Sequence, residues 1–270
     1  MTFEIAISTM HKTIDDVFEM LEKENIHCDC IVINQCDIND SVTKKIGEHT
    51  IRIFCTTERG LSRSRNMALK NAQADILLIG DDDLKYYDDF DKTIINMYES
   101  NPNIDVGIFN IETYDRVFPK TEQRITYPII SHFTSVQISF KVSSVRKINI
   151  DFNINYGAGS GIILFGEENL FLSDCYKKGL QFKYFPQKIL LNEDRGISSW
   201  FNGMNNKQYL RDKGVVYYAL YKNFCFLYII RFLLKHRNQI KPYSTFEAFK
   251  FILNGINYYK TLERGKNGTR

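Results

Sequence analysis

The first hundred residues alternate short apolar runs with segments whose apolar residues recur at helical spacing. The apolar runs predict four β-strands, at Phe3–Ser8, Cys30–Ile33, Ile51–Cys55 and Ile76–Ile79. Between them lie two predicted helices, one over Thr13–Lys23 and one that Ser62 can cap. Strands separated by helices of this length indicate βαβ units and an open parallel sheet, on which ligands bind beyond the carboxyl ends of the strands.

Polar, irregular connections interrupt this pattern in the second half of the chain. Two further strands are predicted at Asp105–Ile111 and Val136–Phe140, and a loop at Gly157–Gly161. A helix is predicted over Glu167–Lys178, and Gly179 stands where a glycine commonly ends a helix. We therefore expect an α/β domain over residues 1–205, followed by a helical, aromatic-rich C-terminal extension over residues 206–270.

The composition is that of a globular chain, with 270 residues, 44% of them hydrophobic and 25% charged. A net charge of +3, with basic and acidic residues interspersed, argues against nucleic acid as a partner. The N-terminus has no signal-peptide pattern, so we expect a cytoplasmic protein. The six cysteines agree with a reducing compartment, and Cys28 and Cys30 have no second pair at the spacing of a zinc site.

Three consecutive carboxylates, Asp81–Asp83, follow the apolar run Ile76–Ile79 and Gly80. Like charges this close raise one another's pKa unless a cation neutralises them. Oxygen ligands at the end of a buried strand suit Mg²⁺ or Mn²⁺, which share their coordination with substrate phosphates. A solvated acidic turn is the alternative, and the position directly after a buried strand favours the metal.

Two arginines, Arg63 and Arg65, stand in the segment Gly60–Asn66 at the predicted start of a helix. Free backbone N–H groups and guanidinium groups at such a place favour an anion site. Taken alone, the two residues are better interpreted as surface arginines on an amphipathic helix. The order of strand, arginine-bearing helix, strand and carboxylates is what favours the anion site.

That order resembles the nucleotide-binding half of family 2 glycosyltransferases, which have the GT-A fold. Gly60–Asn66 and Ala74–Asp83 are similar to the family's Gly-x-x-x-x-Arg-Asn helix and to the strand that ends in its Asp-x-Asp motif. Phe165–Leu172 resembles the family's Gly-Glu-Asp segment, and Lys178-Gly179 and Phe185-Pro186 follow as they do there. The resemblance spans roughly residues 3–200. It implies a Rossmann-like, mostly parallel central sheet flanked by helices, with a nucleotide-sugar half at about 1–110 and an acceptor half at about 111–205.

The resemblance also implies roles for residues of the donor site. Asp83 would bind the metal ion, Mn²⁺ or Mg²⁺, with Asp81 as a second ligand, and Asp82 would lie near the ribose or the diphosphate. Arg65 would face the nucleotide, with Arg63 as the weaker candidate. The two base-binding edges would be formed by Ser8, Thr9, Asn34 and Gln35. The family often has Asp at the second of these edges, so the identity of the base is open.

Glu168 occupies the position of the family's general base, from which a carboxylate deprotonates the acceptor hydroxyl. Glu167 is the neighbouring alternative, and both acids also suit the first turn of a helix without any catalytic role. The candidates on the acceptor side are Gly159, Ser160 and Trp200. A histidine that family members commonly carry is missing, so either Asn192 or Glu193 takes its place or that contact is absent.

The resemblance implies a hexosyltransferase that moves a sugar from a nucleotide diphosphate sugar, first of all a UDP-sugar, to a saccharide hydroxyl. It further implies a metal-dependent displacement with inversion in the synthesis of a capsule or another surface polysaccharide, with a lipid-linked acceptor as one option. Two other functions stay open, a nucleotidyltransferase acting on sugar phosphates and a sugar-nucleotide-binding protein without activity. The former usually needs a glycine-rich, basic loop after the first strand, and Ser8–Thr13 is not one.

The aromatic and aliphatic stretch from Val215 to Leu234 is nearly long enough to span a bilayer, but Lys222 and Arg231 interrupt it. An interfacial helix with basic residues after it is the favoured interpretation, which places the protein peripherally on the cytoplasmic face of the cell membrane. A helix packed on the catalytic domain or on a second subunit is the alternative, and the oligomeric state is open.

Overall fold

The computed structural model describes residues 1–113, 116–127, 133–192 and 203–267. Within these ranges the strands are β1 (Phe3–Met10), β2 (Cys30–Gln35), β3 (Asp40–Ile46), β4 (His49–Thr56), β5 (Ile76–Asp81), β6 (Lys85–Tyr86), β7 (Val106–Glu112), β8 (Gln123–Arg124), β9 (Ile138–Lys141) and β10 (Phe182–Leu191). The helices are α1 (Ile14–Lys23), α2 (Leu61–Asn71), α3 (Phe90–Ser100), α4 (Val142–Ile148), α5 (Glu167–Lys177), α6 (Lys207–Tyr221), α7 (Cys225–Lys235) and α8 (Thr245–Asn267).

A mixed sheet runs through this part of the chain, with the strand order β3-β4-β2-β1-β5-β9-β7-β10-β6 and with β8 paired to β10. Strands β4, β2, β1 and β5 are parallel neighbours, as the βαβ pattern predicts. Strand β9 lies antiparallel between β5 and β7, and β7 and β10 are again parallel. The predicted α/β architecture with a mostly parallel central sheet is confirmed.

The sheet has a hydrophobic layer on each face because successive strand residues point to opposite faces. Ile5 and Ile7 of β1 pack in one layer with α1 and α3, whereas Ala6 between them packs in the other with α2, α4 and α5. The run Ile76–Ile79 in β5 is fully buried, as a strand covered by helices on both faces requires. The result is a three-layer domain in which β1, β2 and β5 end at the same edge.

Two predicted elements of this domain begin at other residues than expected. Helix α2 begins at Leu61 after Gly60, whose φ is +114°. Ser62 does not cap it, since the Ser62 hydroxyl donates to the carbonyl oxygen of Tyr156 at 2.7 Å. The predicted strand Val136–Phe140 begins only at Ile138, because a 3₁₀ turn occupies residues 135–137.

The aromatic stretch after residue 215 forms two helices, not one. Helix α6 ends at Tyr221, and Lys222, with a φ of +48°, starts a 3₁₀ turn that leads into α7. Helices α6 and α8 meet backbone to backbone, since a Cβ atom placed on Gly214 would lie 1.9 Å from the carbonyl oxygen of Ile252. None of the helices in the described ranges is both long and apolar enough to cross a membrane.

The C-terminal helices are packed on the loop that precedes α5. The Asp212 carboxylate accepts a hydrogen bond from the Leu164 N–H at 3.0 Å, and Arg211 donates to the Ile162 carbonyl oxygen at 3.0 Å. Tyr156 and Ile163 belong to the same hydrophobic cluster as α6, α7 and α8. The extension therefore shares a core with the loop of the α/β domain, and the boundary at residue 205 stays a prediction.

Candidate active site

The side chains predicted for the donor site meet at the carboxyl edge of the sheet. In the pairing of β1 with β5, Ser8 lies opposite Asp81. In the pairing of β1 with β2, Thr9 lies opposite Asn34, and Gln35 lies opposite Met10. Because these strands are parallel, the two predicted base-binding edges come to lie beside the acidic triplet.

The acidic triplet Asp81–Asp83 lies between two clefts. The first cleft, of about 700 Å³, is lined by the β1–α1 loop, one side of α1, Asp82 and Asp83. The second cleft, of about 440 Å³, is lined by residues of several elements that include Arg65, Asp81, Asp83, Glu167 and Glu168. Asp83 therefore borders both clefts, and the second cleft brings the predicted metal ligands together with the predicted base.

Arg65 connects two of these carboxylates. Its guanidinium donates to Glu167 Oε1 at 2.9 Å and to Asp81 Oδ1 at 3.3 Å, and its side chain is 2% exposed. Burial acts to lower the pKa of Arg65, but the carboxylates of Glu167 and Asp81 outweigh it and keep the pKa above its usual value. Arg65 is therefore a fixed positive charge that supports both acids, and its direct contact with a nucleotide stays a prediction.

Arg63 does not reach either cleft at the acidic triplet. It lines a groove on the other side of α2 together with Asn66 and Arg146. Residues two apart on a helix point about 200° away from each other, so Arg63 and Arg65 cannot face the same cleft. The N–H of Leu61 donates to the Ala158 carbonyl oxygen at 2.9 Å, so this backbone group already has a partner in the protein, and anion binding at the start of α2 stays a prediction.

The predicted base-binding residues hold the neighbouring loops in place. Asn34 Nδ2 donates to the Lys12 carbonyl oxygen at 2.7 Å, which fixes the β1–α1 loop. Gln35 Oε1 accepts a hydrogen bond from the Gly60 N–H at 2.7 Å, which fixes the start of α2. Thr9 donates its hydroxyl hydrogen to the carboxylate of Asp82. Contacts of Thr9, Asn34 and Gln35 with a base stay a prediction.

Glu167 and Glu168 begin helix α5 and differ in their surroundings. Glu167 is buried and paired with Arg65. Burial and the neighbouring charge of Glu167 raise the pKa of Glu168 to about 8. A carboxyl group with that pKa exchanges its proton near neutral pH, as an efficient general base does. The raised pKa of Glu168 and the ion pair of Glu167 with Arg65 therefore favour Glu168 as the base, and this role stays a prediction.

The acceptor-side candidates lie in the loop that covers the start of α2. A Cβ atom on Gly159, whose φ is +73°, would lie 3.1 Å from the Cα of Gly60. The Ser160 hydroxyl donates to the Ile163 carbonyl oxygen at 2.8 Å, so it holds the loop's own turn. Asn192 lines the second cleft, whereas Trp200 and Glu193 lie outside the described residues.

The second cleft offers a donor set that fits Mn²⁺ or Mg²⁺. Asp81 and Asp83 supply two carboxylates to it. In the described ranges, no three His, Cys, Asp or Glu side chains form a metal site by themselves. Mg²⁺ and similar ions take one or two carboxylates and complete their shell with water and substrate phosphates. Two carboxylates at a cleft are therefore what a cation shared with a diphosphate requires.

Two charged residues near the site could not be recognised from sequence patterns. Glu24, at the end of α1, is buried beside the first cleft, and burial together with Asp82 and Asp83 raises its pKa to about 8. Lys213 of α6 has its ammonium 5.2 to 5.6 Å from four ring centroids, those of Phe165, Tyr209, Tyr217 and Phe232. Burial lowers the pKa of Lys213 to about 8. Both environments arise from packing between distant segments, which local sequence patterns do not report.

Solved structures with the same fold include two glycosyltransferases. S. aureus TarS 1–349 matches with a TM-score of 0.58 and 14% identity, over 98% of this chain and 92% of that chain. The same TarS segment in complex with UDP-GlcNAc matches with a TM-score of 0.57 and 14% identity, over 94% and 81% of the two chains. The mannosyltransferase PcManGT from Pyrobaculum calidifontis, in complex with GDP-Man and Mn²⁺, matches with a TM-score of 0.51 and 11% identity, over 95% and 86%. These likenesses show a common fold.

A comparison of the sequence with curated proteins gives no significant match. A comparison with family models does give one. The model for glycosyl transferase family 2 matches residues 4–160, which is more than half of the chain and includes Arg65 and the acidic triplet. The chain therefore belongs to glycosyl transferase family 2, and its α/β domain is a glycosyltransferase domain of the GT-A fold.

Proposed function

We propose that this chain transfers a sugar from a nucleotide diphosphate sugar to a hydroxyl group of a saccharide acceptor, with inversion at the anomeric carbon. The observation that carries the proposal is the second cleft, which is lined by Arg65, Asp81, Asp83, Glu167 and Glu168. Carboxylates that bind a cation serve the leaving diphosphate, and a carboxylate with a raised pKa serves the incoming hydroxyl. One cleft thus holds the groups for both halves of the transfer.

The donor is a nucleotide diphosphate sugar, with a UDP-sugar as the first candidate. TarS has been crystallised with UDP-GlcNAc, and PcManGT with GDP-Man and Mn²⁺, so proteins of this fold accept both kinds of nucleotide. Asp83 and Asp81 would hold Mn²⁺ or Mg²⁺, which when bound neutralises charge on the diphosphate. Ser8, Thr9, Asn34 and Gln35 lie at the strand ends where the nucleoside would be bound.

The chain's own residues orient the donor and move a proton. Arg65 fixes the positions of Glu167 and Asp81, and Thr9 fixes that of Asp82. The oxygen of the acceptor hydroxyl attacks the anomeric carbon from the side opposite the leaving nucleoside diphosphate. Glu168 accepts the proton of that hydroxyl. A single displacement of this kind inverts the configuration.

The acceptor is a growing surface polysaccharide, and a lipid-linked saccharide would place the reaction at the cytoplasmic face of the cell membrane. Ala158 lines the second cleft, so the loop that contains Gly159 and Ser160 lies beside this cleft. That position suits the acceptor side, for which Trp200 is the further candidate.

The test measures release of nucleoside diphosphate from a panel of UDP-, GDP- and dTDP-sugars in the presence of Mn²⁺. We expect Asp83→Ala to lower kcat about 100-fold, because several kcal/mol of charge stabilisation depend on the metal. Glu168→Gln is expected to lose transfer while a donor still raises the melting temperature. Arg63→Gln, which alters the far side of α2, is the control and keeps full activity.

For each assignment, one specific result would show that it is wrong. Equal release by the wild type and Asp83→Ala would show that the metal assignment is wrong, and full transfer by Glu168→Gln would place the base elsewhere. Donor binding without release by the wild type would indicate a non-catalytic protein. Formation of a nucleotide sugar from a nucleoside triphosphate and a sugar phosphate would indicate a nucleotidyltransferase.

A further inference from the structure

Helix α7 carries an exposed apolar face. Phe226, Leu227, Ile230 and Leu234 are 45%, 66%, 52% and 69% exposed, and we call these four residues the α7 stripe. They lie along one side of the helix, since residues three and four apart are neighbours on a helix surface. The opposite side is buried in the cluster shared with α6 and α8. Single exposed apolar residues are ordinary on a protein surface, whereas a contiguous apolar face marks an interaction site.

The segment around the α7 stripe is strongly basic. Residues 213–246 contain six Lys and Arg residues and no Asp or Glu, although the whole chain has a net charge of only +3. Arg231 and Lys235 are exposed, and they stand one helical turn apart at the border of the stripe, in the row that continues from Leu227. Among the described residues neither forms a salt bridge. Arg237 and Lys241 follow directly after the helix, and both are exposed.

We propose that α7 docks on a lipid surface that carries anionic headgroups, with the α7 stripe among the upper acyl chains and Arg231 and Lys235 at the lipid phosphates. The helix has 11 residues, which gives a length of about 16 Å and is far short of the hydrocarbon core of a bilayer. The helix therefore lies in the interface and does not cross it. An apolar face with a cationic edge is the pattern of helices that bind in this way.

Charge complementarity distinguishes the lipid surface from a second copy of the chain. A symmetric contact through the α7 stripe would bring Arg231 and Lys235 close to the same residues of the other copy. No carboxylate in residues 213–246 could compensate them. Like charges placed opposite each other across an interface are unfavourable. An anionic lipid surface instead supplies negative charge above an apolar layer, and both features match this helix.

The inference does not rest on the proposed sugar transfer, because binding is measured without substrates. The full chain is mixed with vesicles of phosphatidylcholine alone, or of phosphatidylcholine with phosphatidylglycerol, and sedimented. We expect binding to the anionic vesicles that weakens as the salt concentration rises. The variant Leu227→Gln/Ile230→Gln is expected to lose binding to the anionic vesicles. Arg231→Gln/Lys235→Gln is expected to weaken it about 25-fold, at about fivefold for each cation removed.

Two matched controls change the same residue types elsewhere. Ile38→Gln/Ile46→Gln removes two apolar side chains that are 59% and 45% exposed, one just before β3 and one at its end. Lys45→Gln/Lys70→Gln removes two exposed cations. Both controls keep vesicle binding, and thermal melting shows that every variant folds. Release of nucleoside diphosphate in solution stays unchanged in Leu227→Gln/Ile230→Gln, so a failure of docking and a failure of catalysis are distinguishable.

Three results would overturn the proposal. The first is a wild-type chain that does not sediment with the anionic vesicles. The second is an equal loss of binding in the control variants. The third is a dimer that Leu227→Gln/Ile230→Gln converts to a monomer in light scattering while vesicle binding is unchanged, which would make the α7 stripe a contact between two copies of the chain.

Discussion

The guanidinium of Arg65 lies 2.9 Å from Glu167 Oε1, although the two residues are 102 positions apart in the chain. Arg65 belongs to the helix that follows β4, and Glu167 opens the helix that carries the predicted base. Their side chains are 2% and 7% exposed. The pair therefore joins helix α2 to helix α5, next to the acidic triplet.

Removal of Arg65 alone should destabilise the protein strongly. Arg65→Met leaves Glu167 buried without its cation, and breaking a buried pair in this way costs about 3–5 kcal/mol in the free energy of unfolding. Arg65→Met/Glu167→Met removes both charges and should recover most of that loss, since Asp81 is 37% exposed and can be solvated. Urea unfolding measures both variants.

The control for this comparison is Arg63→Met on the far side of α2, for which we expect a change within about 0.5 kcal/mol. A loss in Arg65→Met no larger than in Arg63→Met would contradict the role of the buried pair. So would a double variant that is less stable than Arg65→Met.

The pKa of Glu168 predicts a pH-dependent activity. Since burial and Glu167 raise that pKa to about 8, the ionised form that acts as a base becomes abundant only above this pH. The kcat/KM for transfer should therefore rise between pH 7 and pH 9, because this ratio reports groups of the free enzyme. Glu168→Gln should lower kcat by about 10²- to 10⁴-fold and remove the rise.

The same shift predicts a change in stability. The folded state holds the Glu168 proton more tightly than the unfolded state, whose pKa is near 4.5. The contribution of Glu168 to stability is therefore complete below pH 4.5 and is lost as the pH rises towards about 8. Urea unfolding of the wild type and Glu168→Gln at several pH values measures the difference. A difference that is constant from pH 4.5 to pH 8 would contradict the raised pKa.

Much of the parallel half of the sheet could be predicted because its strands are buried on both faces and read as apolar runs. Strand β3 could not, since Asp40–Ile46 is an exposed edge strand without apolar alternation and, within the described part of the chain, pairs only with β4. The break at Lys222 was equally hidden, because neither a glycine nor a proline stands there, although Lys222 takes a positive φ.

The candidate site was predictable where residues lie at strand ends or helix starts. The sequence places Asp81–Asp83 after a buried strand, and the structure has them at the sheet edge. The resemblance implies Arg65 as the nucleotide-facing residue and keeps Arg63 as a weaker candidate, whereas the helical period places the two on different sides of α2. Hydrogen bonds such as that from Gly60 to Gln35 join segments far apart, so they become visible only in the folded chain.

The contact between α6 and α8 predicts an unusual response to alanine. In an exposed helix, Gly→Ala gains about 1 kcal/mol of stability. At Gly214 the new Cβ would lie 1.9 Å from the Ile252 carbonyl oxygen, and at Gly255 it would lie 1.8 Å from that of Arg211. We therefore expect each substitution to cost about 1–3 kcal/mol, by urea unfolding, as the helices move apart.

A control for these glycines is Gly47→Ala at the β3–β4 turn. Gly47 has a φ of +60° and no atom within 4 Å of a new Cβ, so only backbone strain of about 1 kcal/mol is added. The midpoint of urea unfolding should fall further in Gly214→Ala than in Gly47→Ala. A Gly214→Ala variant as stable as the wild type would show that α6 and α8 do not pack this closely.

The buried charge of Lys213 should lower the free energy of unfolding at neutral pH. Burial lowers its pKa to about 8, which the charge of Glu168 offsets only in part. The unfolded chain therefore binds its proton more tightly than the folded one, and stability rises with pH between about 8 and 10.5. Lys213→Met keeps a long apolar stem among the rings and removes the desolvated charge. We expect it to gain about 1–3 kcal/mol at pH 7 in urea unfolding.

The matched control for this last variant is Lys222→Met, since Lys222 lies 4.8 Å from the ring centroid of Tyr259 but is exposed. The gain of Lys213→Met over the wild type should shrink between pH 7 and pH 10, whereas Lys222→Met should show no such trend. A Lys213→Met variant that is less stable than the wild type at pH 7 would show that attraction between the ammonium and the four rings exceeds its desolvation. In that case Lys213 would stabilise α6 as a cation, and its charge would add to the field that acts on Glu168.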